Sequence, residues 1–143
     1  MSRRMADDEW RAFLLEGTRT GKLATVRADG TPHVTPIWFV LDEQGRLVFN
    51  TGRDTVKGRN LRRSGRASVC VDEERPPFSF VRVDGPVTIE DDPGAMLELA
   101  TRIAGRYMGP ERAEEFGRRN AVAGELLVRV TPERVVALAG ISD

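Results

Sequence analysis

Trp10, Phe13 and Leu14 recur three and four residues apart and give the stretch from Asp7 to Glu16 one apolar helical stripe. Asp7 or Asp8 is the expected cap and Gly17 the expected stop. The period then changes to two. Gly21 to Ala28 alternates as a strand, Asp29-Gly30 is a hairpin turn, and Thr31 to Leu41 is the returning strand. Asp42 to Gly45 turns the chain into a third strand, Arg46 to Asn50. Pro32 and Pro36 fall inside the second strand, and a residue without an N–H is confined to edges, strand starts or bulges. Pro36 therefore predicts a bulge, or an edge against which something other than a strand is laid.

Helical spacing returns at Asp54 or Thr55 and lasts to Ser64-Gly65, with Val56 and Leu61 expected inward and Arg59, Arg62 and Arg63 outward. Arg66 to Asp72 is a strand and Glu73 to Pro77 a charged loop. Phe80 to Glu90 is a long strand whose Gly85-Pro86 pair predicts a bend or bulge. Asp92-Pro93 starts a helix carrying Leu97, Ala100, Ile103, Ala104 and Tyr107. Gly109-Pro110 stops it and opens another, through Phe116 to Arg119. Leu126 to Val130 and Val135 to Leu138 are the last strands. Roughly seven strands and four short helices, joined mostly as antiparallel hairpins, close most easily into a small barrel. The expected class is mainly β (α+β), one domain over residues 1–143. Pairing with a second copy is a common way to protect the strand edges of such a sheet.

Composition narrows the partners. With 40% hydrophobic and 31% charged residues and a formal net charge of zero, the chain reads as an ordinary globular protein with no global field. The basic run Arg59, Arg62, Arg63 and Arg66 lacks interleaved aromatics, so nucleic acid is not the expected partner. No apolar run approaches the roughly 20 residues of a membrane span, and the N-terminus lacks the apolar centre of a secretory signal. A cytoplasmic protein away from membranes is expected. Cys70 is the only cysteine and His33 the only histidine, so neither a disulfide within the chain nor a His-pair zinc site is possible, and no metal is expected. Cys70 reads as a small core residue. His33 reads as surface or structural, with proton donation as the other reading.

The chemistry-bearing stretch is Asn50 to Asn60, where a strand gives way to a helix. It carries Thr51, Arg53, Thr55, Asn60 and Lys57, one of only two lysines among 22 basic residues. A helix start presents unpaired N–H groups and a partial positive charge, and hydroxyls and cations complete a donor set suited to phosphate. Neither a P-loop nor a dinucleotide-binding glycine pattern is present. A capped helix with solvated cations explains the same residues, and both readings stand at this point. Upstream, Thr35, Pro36, Ile37 and Trp38 lie on the proline-broken strand, which would leave backbone groups free and offer apolar walls to a flat ring. An ordinary core strand is the alternative there. No acid–base pair or nucleophilic triad has sequence support, so no catalytic residue is assigned.

The run Gly21-Lys-Leu-Ala-Thr-Val-Arg-Ala-Asp-Gly-Thr-Pro-His-Val-Thr-Pro-Ile-Trp-Phe39, together with Asn50 to Leu61, resembles the pyridoxamine-phosphate-oxidase-like split β-barrel proteins. Arg66 to Val71, Val83 to Ile89 and Val128 to Val135 extend the resemblance over most of the chain. Within that superfamily it is most similar to flavin/deazaflavin oxidoreductases that use coenzyme F420. The resemblance implies an FMN-binding-like split β-barrel with short peripheral helices and a homodimer with the cofactor between subunits. It further implies hydride transfer between F420 and a small planar unsaturated substrate, such as a quinone or a tetrapyrrole-like compound. An FMN-dependent enzyme and a non-catalytic F420 carrier are the alternatives. Carried over by motif, Asn50, Thr51, Arg53, Thr55, Lys57 and Asn60 would hold the phosphate and the start of the anionic tail. Thr35, Pro36, Ile37 and Trp38 would line the ring, with Phe78 of the second subunit and Arg129 as further contacts.

Overall fold

In the computed structural model, which describes Met1–Asp143, the first half of the chain forms β1 (Arg3–Arg4), α1 (Asp7–Leu15), β2 (Gly21–Val26), β3 (Pro32–Ile37), β4 (Val40–Leu41), β5 (Leu47–Gly52) and α2 (Val56–Ser64). The second half forms β6 (Arg66–Glu73), β7 (Ser79–Glu90), α3 (Pro93–Met108), a 3-10 turn (Pro110–Arg112), α4 (Ala113–Asn120), β8 (Glu125–Val130) and β9 (Arg134–Ala139). All strands join one antiparallel sheet in the order β3-β2-β6-β7-β8-β5-β4, with β9 also on β7 and β1 on β9.

Strand β7 belongs to both halves of this sheet. Its residues Ser79 to Pro86 pair with β6, whereas Val87 to Glu90 pair with β8. The change of neighbour falls at Gly85-Pro86, where the sequence asks for a bend. A Cβ at Gly85 would lie 1.8 Å from the Thr131 carbonyl oxygen, so only glycine permits this close approach. The two halves wrap one core that includes Leu23, Ile37, Phe39, Leu47, Phe49, Val69, Val81 and Val128. The result is the expected mainly β split barrel. A smaller apolar cluster on the outside joins Val40, Val48 and Leu127 of the sheet to Met96, Leu99 and Ile103 of α3.

Four local expectations are corrected. The strand expected from Thr31 to Leu41 is broken at Trp38-Phe39 into β3 and β4. With the two-residue β1, the strand count becomes nine. The first helix begins after Ala6 rather than on an aspartate cap. The Glu9 carboxylate accepts the Ala6 N–H at 3.3 Å, while Asp7 and Asp8 sit in the first turn, where acidic charge suits the helix dipole. Val56 is exposed. Cys70 is not a core residue: Ala67, Val69 and Val71 take the inward positions of β6 and leave Cys70 half-buried on the outer face, opposite Lys22.

Strand β3 is an edge without a bulge. Its register with β2 is continuous from Pro32↔Val26 to Ile37↔Gly21. The two prolines and Val34 occupy alternate positions, and a proline cannot fill a hydrogen-bonded one. Positions 32, 34 and 36 therefore turn their backbone groups to the open side.

Candidate functional site: the start of α2 and the edge of β3

Thr55 caps α2. Its Oγ1 accepts the Gly58 N–H at 3.1 Å and donates to the Gly52 carbonyl at 2.8 Å. The turn is tight enough that a Cβ on Gly58 would come within 2.2 Å of the Gly52 oxygen. Thr51 is buried behind it with its Oγ1 3.2 Å from that of Thr55. Asn60 is buried as well; its Nδ2 donates to Thr25 Oγ1 at 3.1 Å and its Oδ1 accepts from Arg63 at 3.0 Å. Asn50 donates to Glu125 at 2.8 Å. These side chains thus build the turn, tie α2 to β2 and tie β5 to β8.

What remains free is electropositive. The N–H groups of Val56 and Lys57, first and second in the helix, have no acceptor within the chain. Helix α2 contains no acidic residue, and Arg53, Lys57, Arg59, Arg62 and Arg63 have no carboxylate partner. Arg62 and Arg63 are tied to backbone instead, Arg62 to the Arg53 carbonyl at 2.9 Å and Arg63 to that of Val26. Two free N–H groups with the unpaired Arg53, Lys57 and Arg59 side chains make a donor set that fits a phosphate and lacks a counter-charge of its own. Asp54, exposed just ahead of the cap, is the nearest acid in the chain order.

Helix α2 also packs on β2, the strand that pairs with the ring-lining stretch. Asn60 reaches Thr25, so α2 covers the face of β2 that carries Leu23 and Thr25; their partners on β3 are Thr35 and His33. Lys57 lies one turn before Asn60 on the same side of the helix. The four ring-lining residues do not share a face. Thr35 and Ile37 point to the inner side, where Ile37 is buried in the barrel core, and Pro36 is exposed on the outer side. At the free edge of β3 a ring would meet the backbone of Val34 and Pro36, because the Ile37 backbone turns inward to Gly21 of β2. His33 is half-buried and its Nδ1 has no partner.

Trp38 is 40% exposed although one face of its indole is covered. Tyr107 of α3 stacks on that face, centroids 4.9 Å apart and planes 3° from parallel. The Tyr107 hydroxyl donates to the Arg19 carbonyl at 2.7 Å and accepts the Phe39 N–H at 3.2 Å. Burial pushes this phenol above its ordinary pKa, which keeps it a donor. Arg106 spreads three donors over the carbonyls of Phe39, Leu14 and Gly17 at 2.7, 2.7 and 3.0 Å. Sequence reading placed Tyr107 on a helix face and missed this role, because the stack joins residues far apart in the chain.

Two of the expected contacts lie elsewhere. Arg129 is committed to Asp42 at 2.9 Å and Glu90 at 2.7 Å, so its charge is neutralised within the sheet and it does not join the cradle. Phe78, which carries a φ of +59°, rims an outer groove of about 680 Å³ with Lys22, Cys70, Phe80 and Ile141. It follows the end of β6, whereas α2 leads into the start of that strand.

The fold is that of the split β-barrels, with a cationic helix start and an open edge strand, β3, on the far side of β2. The chain belongs to the pyridoxamine 5'-phosphate oxidase family, which matches residues 6–139. It is 30% identical over 143 residues to the F420H(2)-dependent biliverdin reductase of Mycobacterium tuberculosis, covering 98% of this chain and 93% of that protein. It is 33% identical over 119 residues to a 5a,11a-dehydrotetracycline/5a,11a-dehydrooxytetracycline reductase of Streptomyces rimosus, covering 81% of this chain and 71% of the relative. A solved structure described as an F420 reductase superposes with a TM-score of 0.70 at 31% identity, over 87% of this chain and 94% of that one.

Proposed function

We propose that the protein is an F420-dependent oxidoreductase that reduces a small planar unsaturated molecule. The observation that carries this reading is the uncompensated cationic start of α2, on a helix packed over β2, the pairing partner of the open edge strand β3. Lys57, Arg53 and the free N–H groups of Val56 and Lys57 would hold the cofactor phosphate. Arg59, Arg62 and Arg63, on a helix without acids, would receive a tail bearing carboxylates. Thr51, Thr55 and Asn60 act one step back, by fixing the turn that aims the donors.

When bound, a deazaflavin supplies hydride transfer; the chain supplies position and electrostatics. The edge of β3 would seat the ring side-on, its outward carbonyls accepting from the polar rim of the ring. Trp38 would stand at one end. No residue of the site is required as an acid or base, which accords with the lack of any paired catalytic carboxylates or a His pair around α2.

The same reading makes the protein a homodimer. Val34 is 67% exposed on the outer face of β3, and Val26, Phe78 and Ile141 are exposed as well. Phe78 follows the far end of β6, a strand roughly 26 Å long, whereas the C-terminal end of α2 leads into its beginning. On this reading Phe78 meets the cofactor from the second subunit. The retained alternatives are FMN in place of F420 and a carrier role without catalysis.

Parallel fluorescence titration with F420 and FMN tests the reading. F420 is expected to bind more tightly than FMN, with an affinity that falls as salt rises. Tighter FMN binding, with no salt-dependent F420 binding, would replace the proposal by its FMN alternative. Reduced F420 that binds but is never oxidised above the buffer rate by any quinone or tetrapyrrole would leave the carrier.

A further inference from the structure

Trp38 has one covered and one open face, and the covered face is held unusually firmly. A flat tryptophan on a broken edge strand would ordinarily swing between rotamers, because the chain leaves regular pairing at Trp38-Phe39. Here the near-parallel stack on Tyr107 occupies one side of the indole. The Tyr107 hydroxyl is anchored on the backbone of Arg19 and Phe39, the loop before β2 and the break after β3. Arg106, over the rings of both Phe39 and Tyr107 at 4.7 and 4.8 Å, pins the same break and the end of α1. Helix α3, itself fixed on the outside of the sheet by Met96, Leu99 and Ile103, thus carries the wall against which Trp38 rests.

We infer that Tyr107 is a positioning residue: it clamps one face of the Trp38 indole so that the other stands as a rigid, flat wall for a planar conjugated ring. The inference rests on the reading of Trp38 as a ring-lining residue. Pre-organisation of this kind raises affinity by removing the cost of ordering a side chain on binding, and an additional ring on the open face gains a stacking contact. A planar aromatic ring, of cofactor or of substrate, is the ligand class such a wall selects; a flexible aliphatic molecule gains little from it.

The test uses Tyr107→Leu and Tyr107→Phe in the full chain, with Trp38→Ala as the reference. Trp10 is only 4% exposed, so acrylamide reports mainly on Trp38. Tyr107→Leu opens the second face of the indole and is expected to raise the quenching constant about twofold and to weaken FMN or F420 binding about 3- to 10-fold. KM is expected to rise with kcat little changed where turnover is measurable. Tyr107→Phe keeps the ring but loses the hydroxyl anchor, and is expected to fall between wild type and Tyr107→Leu on both scales. Should Tyr107→Leu not fold, Tyr107→Phe carries the test alone. An unchanged quenching constant would overturn the inference. So would unchanged ligand affinity in a variant whose indole has been released, if Trp38→Ala weakens binding; the cofactor reading would then stand. Trp38→Ala without effect on affinity would remove the wall itself, while Lys57→Ala still decides separately whether the start of α2 binds the cofactor.

Discussion

Lys57→Ala separates binding from folding more sharply than any other substitution in this chain. Lys57 is the second residue of α2, where the helix dipole already presents positive charge, and it has neither a carboxylate partner nor a hydrogen bond. A cation there is unfavourable by about 0.3–1 kcal/mol, and repulsion from Arg53 and Arg59 adds to the same sign. Replacing it by alanine also raises helix propensity slightly. The folded protein should therefore lose nothing and gain up to about 1 kcal/mol, an upward shift in Tm of between zero and about 4 °C for a domain of this size. Against an anionic phosphate the sign reverses. A charged hydrogen bond is worth about 1.5–3 kcal/mol, a factor of about 10 to 150 in Kd. The partial exposure of Lys57 favours the lower end of that range. The assay pairs cofactor titration at about 0.05 and 0.5 M salt with thermal unfolding of the ligand-free protein; high salt should shrink the difference between wild type and variant. An unchanged Kd together with a lowered Tm would show that Lys57 serves the fold, and would sink the phosphate cradle.

Gly58→Ala forces a Cβ into the Gly52 carbonyl and should both destabilise the protein, by about 1–3 kcal/mol in chemical denaturation, and abolish the affinity gained from the α2 start. Asn60→Ala leaves Thr25 Oγ1 without its donor and Arg63 without one acceptor. A stability loss of about 1–3 kcal/mol is expected, and an equal cofactor Kd at saturating stability would show that Asn60 makes no contact of its own. Burial opposes the Asp42 charge, yet hydrogen bonds from the Arg46 backbone and side chain, Arg129 and Gln44 outweigh it and hold the carboxyl below its usual range. A folded-state pKa below the unfolded one stabilises the protein above the unfolded value, about 3.9, and that contribution vanishes as pH falls through the folded value. Asp42→Asn should accordingly be less stable than wild type at pH 7, with the gap closing below about pH 4 in acid-unfolding curves; a gap independent of pH would refute the assignment.

Period-two alternation was enough to locate β2, β6 and β7, because one side of each faces the barrel core, whereas β5 reads as the continuous apolar run Leu47-Val48-Phe49 because α3 covers its second face. Gly85-Pro86 marked the bend for a reason the structure makes concrete, the Thr131 carbonyl pressed against the missing Cβ. The pattern could not reveal β1, whose two exposed arginines pair with β9 through backbone alone. Nor could it end β3 at Ile37, since Trp38 leaves the strand to stack on a residue of α3. At the site, the cap, the cations and the absence of acids in α2 are local facts and were legible. Which polar groups stay free was not. Asn50 meets Glu125, Asn60 meets Thr25 and Arg129 meets Asp42 across long spans of chain, and only the folded register turns these from candidate ligands into struts.

The prolines of β3 also bear on how the molecule survives at high concentration. Along the open rim, positions 32, 34 and 36 would ordinarily offer three N–H groups to any passing extended chain. Two of the three are proline, so Val34 alone can donate, and the Pro32 carbonyl is already taken by Arg27 at 2.8 Å. A foreign strand laid there would form a ladder with half of its rungs missing. The rim can remain exposed without seeding the edge-to-edge stacking that begins fibrils. Restoring the rungs, with Pro36→Val and Pro32→Thr together, should turn a tolerated edge into a sticky one.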